Sequence, residues 1–394
     1  MMKGKGRLLL AFGVITVLVI FLSQCMDSDK DLKATAASIA GAESCKQCHQ
    51  KIYTNYLDDR HTLTSSPVSG ADHLKQMMPR SDSYKFNKRL KVAIEKRKGM
   101  LYQVAYLDGK ERMARPFNIA IGSGKNSYTY GAWNGSGLNQ LPLSYFRVIN
   151  DWANSPGFPT DKVHFSRSIG VKCLECHSSY IQHTTEQISA LAVEEKLVKK
   201  SLVYGIDCER CHGPAGMHVE FHLKNPEVQQ AKYVVLYKSL TRKQKLDACA
   251  ICHSGAAQEE LKSTFGYKPG EDLNDYYGHA PGISAEPEPD VHGNQIQMLA
   301  GSKCFIKSTS MDCGTCHNPH ETAQEGITLY SKKCISCHAT IKHKEKTLAN
   351  AMVKTNCIDC HMPLQSSKVI SFQEAGQSGT SAYRLHTHRI AVYN

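Results

Sequence analysis

The sequence predicts a mainly α-helical chain with long loops and one small antiparallel β insertion. Three observations predict it. A five-residue pattern, C-x-x-C-H, occurs seven times in 394 residues. Most of the copies are separated by linkers of helical or loop-like composition. The one long stretch without the pattern, His73 to Cys173, alternates polar and apolar residues between Gly-containing turns.

The seven copies are Cys45-Lys-Gln-Cys48-His49, Cys173-Leu-Glu-Cys176-His177, Cys208-Glu-Arg-Cys211-His212, Cys249-Ala-Ile-Cys252-His253, Cys313-Gly-Thr-Cys316-His317, Cys334-Ile-Ser-Cys337-His338 and Cys357-Ile-Asp-Cys360-His361. Two thiols three residues apart sit on one side of a single helical turn and reach the two vinyl groups of one porphyrin edge. The His that follows puts an imidazole on the iron from the same side. This is the attachment pattern of c-type haem. Paired C-x-x-C sites for zinc, or redox dithiols, require no His after the second Cys, and all seven copies have one. Seven covalently bound haem c groups are therefore expected, and with them a haem-packed core. Fourteen of the 16 Cys are used in this way, leaving Cys25 and Cys304.

A chain this long holds two or three ordinary domains. Seven macrocycles supply so much apolar surface that thin polypeptide can wrap them, which suits the mean hydropathy of -0.38 and the 28 Gly. The formal charge of +12 would suggest a nucleic-acid partner. Propionates remove that inference. Without Lys3, Lys5 and Arg7 the charge is about +9, and seven ferric bis-His haems at about -1 each bring it near +2. No nucleic acid is expected as a partner.

In chain order, residues 1–25 read as a signal or lipoprotein segment. Three positive charges precede the apolar run Leu8 to Leu22, and Leu22-Ser-Gln-Cys25 resembles a lipobox. A lipidated Cys25, a cleaved soluble product and an uncleaved anchor all remain open. Export to the cell envelope is expected in each case, periplasm-facing or as an outer-membrane lipoprotein. Residues 26–40 read as a tether, 41–80 as the first haem segment with a helix over Lys51 to Asp59, and 81–150 as a β-containing linker. In that linker, turns at Lys98-Gly99 and Asp108-Gly109 separate strands, with further strands over Phe117 to Ile121 and Ser127 to Trp133. Gly122-Ser-Gly-Lys125 lacks the spacing of a phosphate loop. Residues 151–394 read as the domain of haems two to seven. Within it Glu186 to Leu202 and Asn225 to Lys245 are predicted helices, Gly270 to Asp290 is a long loop and Ser366 to Asn394 a returning tail.

Seven His are proximal ligands by motif: His49, His177, His212, His253, His317, His338 and His361. Twelve of the 19 His remain, enough for seven bis-His irons, and two imidazoles keep the potential low.

Several stretches resemble the bacterial cytochrome c554-like multihaem cytochromes. They are Gly41-x-x-x-Cys45, Gly205-Ile-Asp-Cys-Glu-Arg-Cys-His-Gly-Pro-Ala-Gly-Met-His218, Cys313-x-x-Cys-His-Asn-Pro-His320, Cys-His361-Met-Pro and Thr387-His388-Arg-Ile390. Ile121-Gly-Ser-Gly124, Leu141-Pro-Leu143, Trp152-x-x-Ser-Pro-Gly157 and Arg167-x-Ile169 extend the resemblance over nearly all of the mature chain. It implies distal iron ligands at His61, His218, His320 and His388, with His164 and His343 following. The seventh falls to His183, His279 or His292, while His386 matches no fixed position.

The expected function is electron transfer by Fe(III)/Fe(II) cycling along stacked haems, with protein redox partners as donor and acceptor. The membrane is reached through the N-terminal anchor or the lipidated Cys25. The alternative is a multihaem oxidoreductase acting on a small nitrogen or sulfur compound at a five-coordinate haem. A sensor or scaffold ranks below both. No C-x-x-C-K variant marks a catalytic haem. Cys304 reads either as a buried small apolar residue or as a thiol beside a haem.

Overall fold

The computed structural model describes residues 39–68, 70–255, 258–278, 289, 294–321, 326–340, 343, 355–377 and 379–393. Met1 to Cys25, most of the tether, and His279 and His292 lie outside the described residues.

The expectation of a mainly α-helical chain is overturned. About 30% of the described residues are helical and about 29% lie in strands, and the longest helix there has 12 residues. A haem-binding turn needs only enough helix to aim two thiols and an imidazole. The polypeptide between the turns meets its backbone hydrogen bonds largely in sheets instead.

The helices are α1 (Ala42–Cys45), α2 (Gln50–Leu57), α3 (Ala71–Met77), α4 (Val171–His177), α5 (Cys208–His212), α6 (Gly216–Lys224), α7 (Arg242–His253), α8 (Gln295–Ala300), α9 (Lys303–Lys307), α10 (Ile327–Cys337) and α11 (Ile358–His361). The helix expected from Lys51 is α2. The insertion between the first two motifs is more extensive than a small sheet. It contains β2 (Ser83–Lys85), β3 (Leu90–Arg97), β4 (Met100–Leu107) and β5 (Lys110–Pro116), which form one antiparallel sheet in sequence order. Both expected turns are present. Arg97 pairs with Met100 and Leu107 with Lys110, and Lys98, Gly99, Asp108 and Gly109 all have positive φ, as two-residue hairpins with a type I′ turn require.

An eight-stranded sheet packs against it. Its order is β1 (Ser65–Pro67), β6 (Ile119–Ile121), β7 (Ser127–Asn134), β9 (Leu143–Phe146), β10 (Asp151–Asn154), β15 (Leu364–Glu374) and β16 (Ser381–His386), with β8 (Gly137–Gln140) also paired to β7. The expected tail is thus a hairpin, and β15 continues the sheet through β10. Tyr84, Val92, Leu101, Phe117, Tyr130, Leu141, Leu143, Tyr145 and Trp152 form the core between the sheets. Gln103, fully buried, clamps them: its amide donates to the Leu143 carbonyl and accepts from the Leu143 N–H, both at 2.8 Å.

Two predicted helices are absent. Glu186 to Leu202 is mostly an antiparallel ribbon, β12 (His183–Ser189) with β13 (Ala192–Leu197). Its charged residues have helical propensity, but cross-strand pairing wins, helped by the Lys196 ammonium on the Glu186 carboxylate at 2.5 Å. Asn225 to Lys245 has only a 3-10 turn, Tyr237–Ser239, before Thr241, where α7 starts on a capping box with Gln244. Its apolar residues Ala231, Val234, Val235 and Leu236 line a large cavity rather than a helix face. Tyr233, at φ 57°, lies outside right-handed helical geometry. A short pair, β11 (Ser178–Tyr180) with β14 (Val203–Tyr204), closes the base of the ribbon. A second core, Ile119, Leu138, Ile169, Val171, Leu174, Ile181 and Leu197, fixes α4 to the sheet.

Candidate functional site

Each motif forms one helical turn. The N–H of the motif His donates to the carbonyl of the first Cys at 2.8 Å in His49 and 2.9 Å in His317, His338 and His361, while the second, third and fourth motifs lie within α4, α5 and α7. This aims both thiols and the imidazole of a motif the same way.

They aim into one connected cavity of about 3740 Å³. All seven motif His line it, as do Cys45, Cys173, Cys176, Cys208, Cys211, Cys249, Cys252, Cys313, Cys316, Cys334, Cys337, Cys357 and Cys360. Divided by seven motifs, that volume is about 530 Å³ each, within the roughly 300–1,000 Å³ of a small-molecule or cofactor pocket.

Inside the cavity, motif imidazoles meet imidazoles from elsewhere in the chain. His49 and His218 stack with ring centroids 6.5 Å apart and planes 16° apart. His212 and His320 stack at 5.8 Å and 15°. His253 and His61 stand at 6.2 Å, His317 and His388 at 5.9 Å, and His361 and His343 at 6.2 Å. A metal–imidazole bond of about 2.0–2.1 Å on each side, plus the ring radius, would fit this separation. Among the described residues no His ring stands at that distance from His338. His164 lies instead against Phe158, at 6.3 Å.

Hydrogen bonds orient several of these rings. Nδ1–H of His218 donates to the Lys232 carbonyl at 2.8 Å, that of His361 to the Ala391 carbonyl at 2.8 Å, and that of His177 to the Thr64 carbonyl at 3.3 Å. Nδ1–H of His388 donates to Gln295 Oε1 at 2.5 Å and that of His61 to Asp59 Oδ1 at 3.0 Å. An Nδ1 that donates leaves the Nε2 lone pair for a metal. Burial pushes the imidazoles of His253 and His388 down to about 4 and lowers His212 and His317, whereas the Asp59 carboxylate raises His61. Among the described residues no three of His, Cys, Asp and Glu converge on a point as a bare metal ion would require. The donor set fits an iron held between two imidazoles in a macrocycle. It does not fit a zinc cage.

Sequence reasoning missed Asp59, Gln295, Glu175 and Arg210. Asp59, two residues ahead of a His, carried a legible signal. The other three act across the fold and carried none. Cys304 is half-buried and lines the cavity.

No family model matches the chain. It is 27% identical over 252 residues to the dissimilatory sulfite reductase MccA of Wolinella succinogenes, covering 56% of this chain and 32% of that protein. It is 24% identical over 207 residues to the multiheme cytochrome MtrA of Shewanella baltica, covering 47% of this chain and 56% of that protein. The chain is similar to multihaem c-type cytochromes. With the C-x-x-C-H turns, this supports covalently bound haem c. The chain spans about a third of the length of one curated relative and about half of the other. A solved structure, the outer cell wall cytochrome OcwA, aligns with a TM-score of 0.49 at 16% identity over 86% of this chain and 79% of that one. Among the described residues no helix is long and apolar enough to cross a membrane.

Proposed function

We propose that the chain is a seven-haem cytochrome of the cytochrome c554-like group that carries electrons through the cell envelope between protein redox partners. The five imidazole pairs at 5.8–6.5 Å carry this reading. Haem c, when bound, supplies one-electron Fe(III)/Fe(II) cycling. The fourteen motif Cys would anchor it, and His49/His218, His212/His320, His253/His61, His317/His388 and His361/His343 would hold its irons. The N-terminal apolar run or the lipidated Cys25 holds the chain at a membrane.

Thiols of different motifs lie side by side, which supports one order for the route. Cys45 adjoins Cys208, Cys176 adjoins Cys252, Cys249 adjoins Cys313 and Cys334 adjoins Cys357. Cys211 lies near Cys249 and Cys252, and Cys316 near Cys337. On this reading the motifs run first, third, fourth, fifth, sixth, seventh, with the second branching off at the fourth.

Two measurements test the reading. Mass spectrometry of the purified holoprotein should show seven covalent haems, and low-temperature EPR of the oxidised form should show low-spin signals unmoved by nitrite, hydroxylamine or sulfite. Fewer than seven haems sinks the count. The similarity to a sulfite reductase favours a second reading, a reductase of a small sulfur compound. A high-spin signal that shifts with sulfite would establish that reading in place of the simple wire.

A further inference from the structure

Both variable residues of the third motif reach out to a neighbouring motif. The Glu209 carboxylate accepts from the Ala40 N–H at 2.9 Å and the Gly41 N–H at 2.7 Å, where the first haem segment begins, and from the Ala215 N–H at 2.8 Å. Arg210 reaches the second motif. Its Nη2 donates to the carbonyl of Glu175, the residue just before Cys176, at 3.0 Å. Nη1 donates to the Thr264 carbonyl and Nη2 to the Thr264 hydroxyl at 3.0 Å, and the guanidinium lies 5.5 Å over the Phe265 ring. The Glu175 carboxylate holds the same turn, accepting from the Thr264 N–H at 3.0 Å and from the Ser263 hydroxyl. The Cys252 thiol of the fourth motif also points at the Glu175 carbonyl, at 3.8 Å. Three motifs thus meet around one side chain.

Arg210 is 8% exposed and lines the large cavity. Its acceptors named above are neutral, and its Nε–H has none among the described residues. A buried guanidinium with neutral partners and one unfilled donor calls for an anionic oxygen beside it. A haem propionate is such an oxygen.

We propose that Arg210 is the positioning residue of the junction among the second, third and fourth haems. Its Nη atoms fix the second motif against the third, and its Nε–H holds a propionate carboxylate. It thereby places one permanent positive charge among three irons. The proposal rests on the seven-haem reading. A fixed cation favours the ferrous state of nearby irons, so the junction fills with electrons before either branch drains it.

The test uses the holoprotein and starts from the haem count of the wild type. Fewer haems than the three motifs supply overturns the reading and the proposal together. With the haems present, Arg210→Met should lower the reduced-to-oxidised ratio of one to three haems about tenfold at a fixed poise, 59 mV for a one-electron couple. Arg210→Lys keeps the charge and should hold that ratio within about twofold. It loses the planar fork, so the haem–haem coupling in the Soret circular dichroism should change. Wild-type potentials in Arg210→Met overturn the proposal, and so does an equal shift in both variants. If Arg210→Met does not mature, Arg210→Lys carries the test alone: a Soret spectrum identical to that of the wild type overturns it.

Discussion

His61 and His253 meet edge to face with ring centroids 6.2 Å apart, although 192 positions separate them in the chain. Gly205 makes this possible. At φ 67°, it lets the third motif's approach pack on Thr62 where any Cβ would strike the Thr62 carbonyl, and the Ile206 N–H donates to the His61 carbonyl at 2.8 Å.

Removing one partner of that pair should expose one iron. His61→Ala is expected to convert about one haem per protein from low-spin to high-spin ferric, read by integrating the EPR spectrum. Unchanged low-spin intensity would remove His61 from the ligand set.

Orientation of a distal ring should tune its iron. Gln295 accepts the Nδ1 proton of His388 at 2.5 Å, which makes the imidazole the stronger donor and favours the ferric state. Gln295→Leu should therefore raise the midpoint potential of one haem, and spectropotentiometry would show it. A lowered or unmoved potential contradicts that orientation.

The clamp between the sheets should dominate the stability of the β region. Gln103→Ala leaves the buried N–H and carbonyl of Leu143 without their partner and should cost about 2–4 kcal/mol. Chemical denaturation of the holoprotein measures it. A loss below about 1 kcal/mol would mean that the site fills with water.

Acid should weaken the same core through His73. This ring is 6% exposed, sits 3.0 Å from the Tyr130 hydroxyl, and is pushed down to about 4 by burial. The unfolded chain, with His near 6.5, binds the proton that the folded chain refuses. Stability is therefore full above about pH 6.5 and falls towards pH 4 by about 3 kcal/mol. His73→Gln should flatten that part of the profile. An unchanged pH slope between wild type and variant would sink this account.

The haem-binding turns were legible because their chemistry is local: five consecutive residues fix two thiols and one imidazole. The hairpin turns at Lys98-Gly99 and Asp108-Gly109 were legible for the same reason. The helix class was not. Glu186 to Leu202 has helical composition, yet its strand pairing is set by partners across the ribbon and by Leu197 entering a core with Ile119 and Leu138. Val234, Val235 and Leu236 were apolar for the sake of the cavity, so their spacing says nothing about a helix. Of the distal His expected from the resemblance, His61, His218, His320, His343 and His388 stand opposite motif imidazoles, and His164 stands beside Phe158. His183 pairs with Leu197 in the ribbon, and His279 and His292 lie outside the described residues.

The remote pairing of the rings also governs the order in which the molecule can be completed. His49 waits for His218, His212 for His320, and His317 for His388, so each later stretch of chain closes a site opened by an earlier one. On the proposed reading, a porphyrin held by one of these five pairs is a rivet between two distant passages of polypeptide. A single missed attachment would leave two passages unfastened, and the damage would spread along the chain instead of staying at one iron.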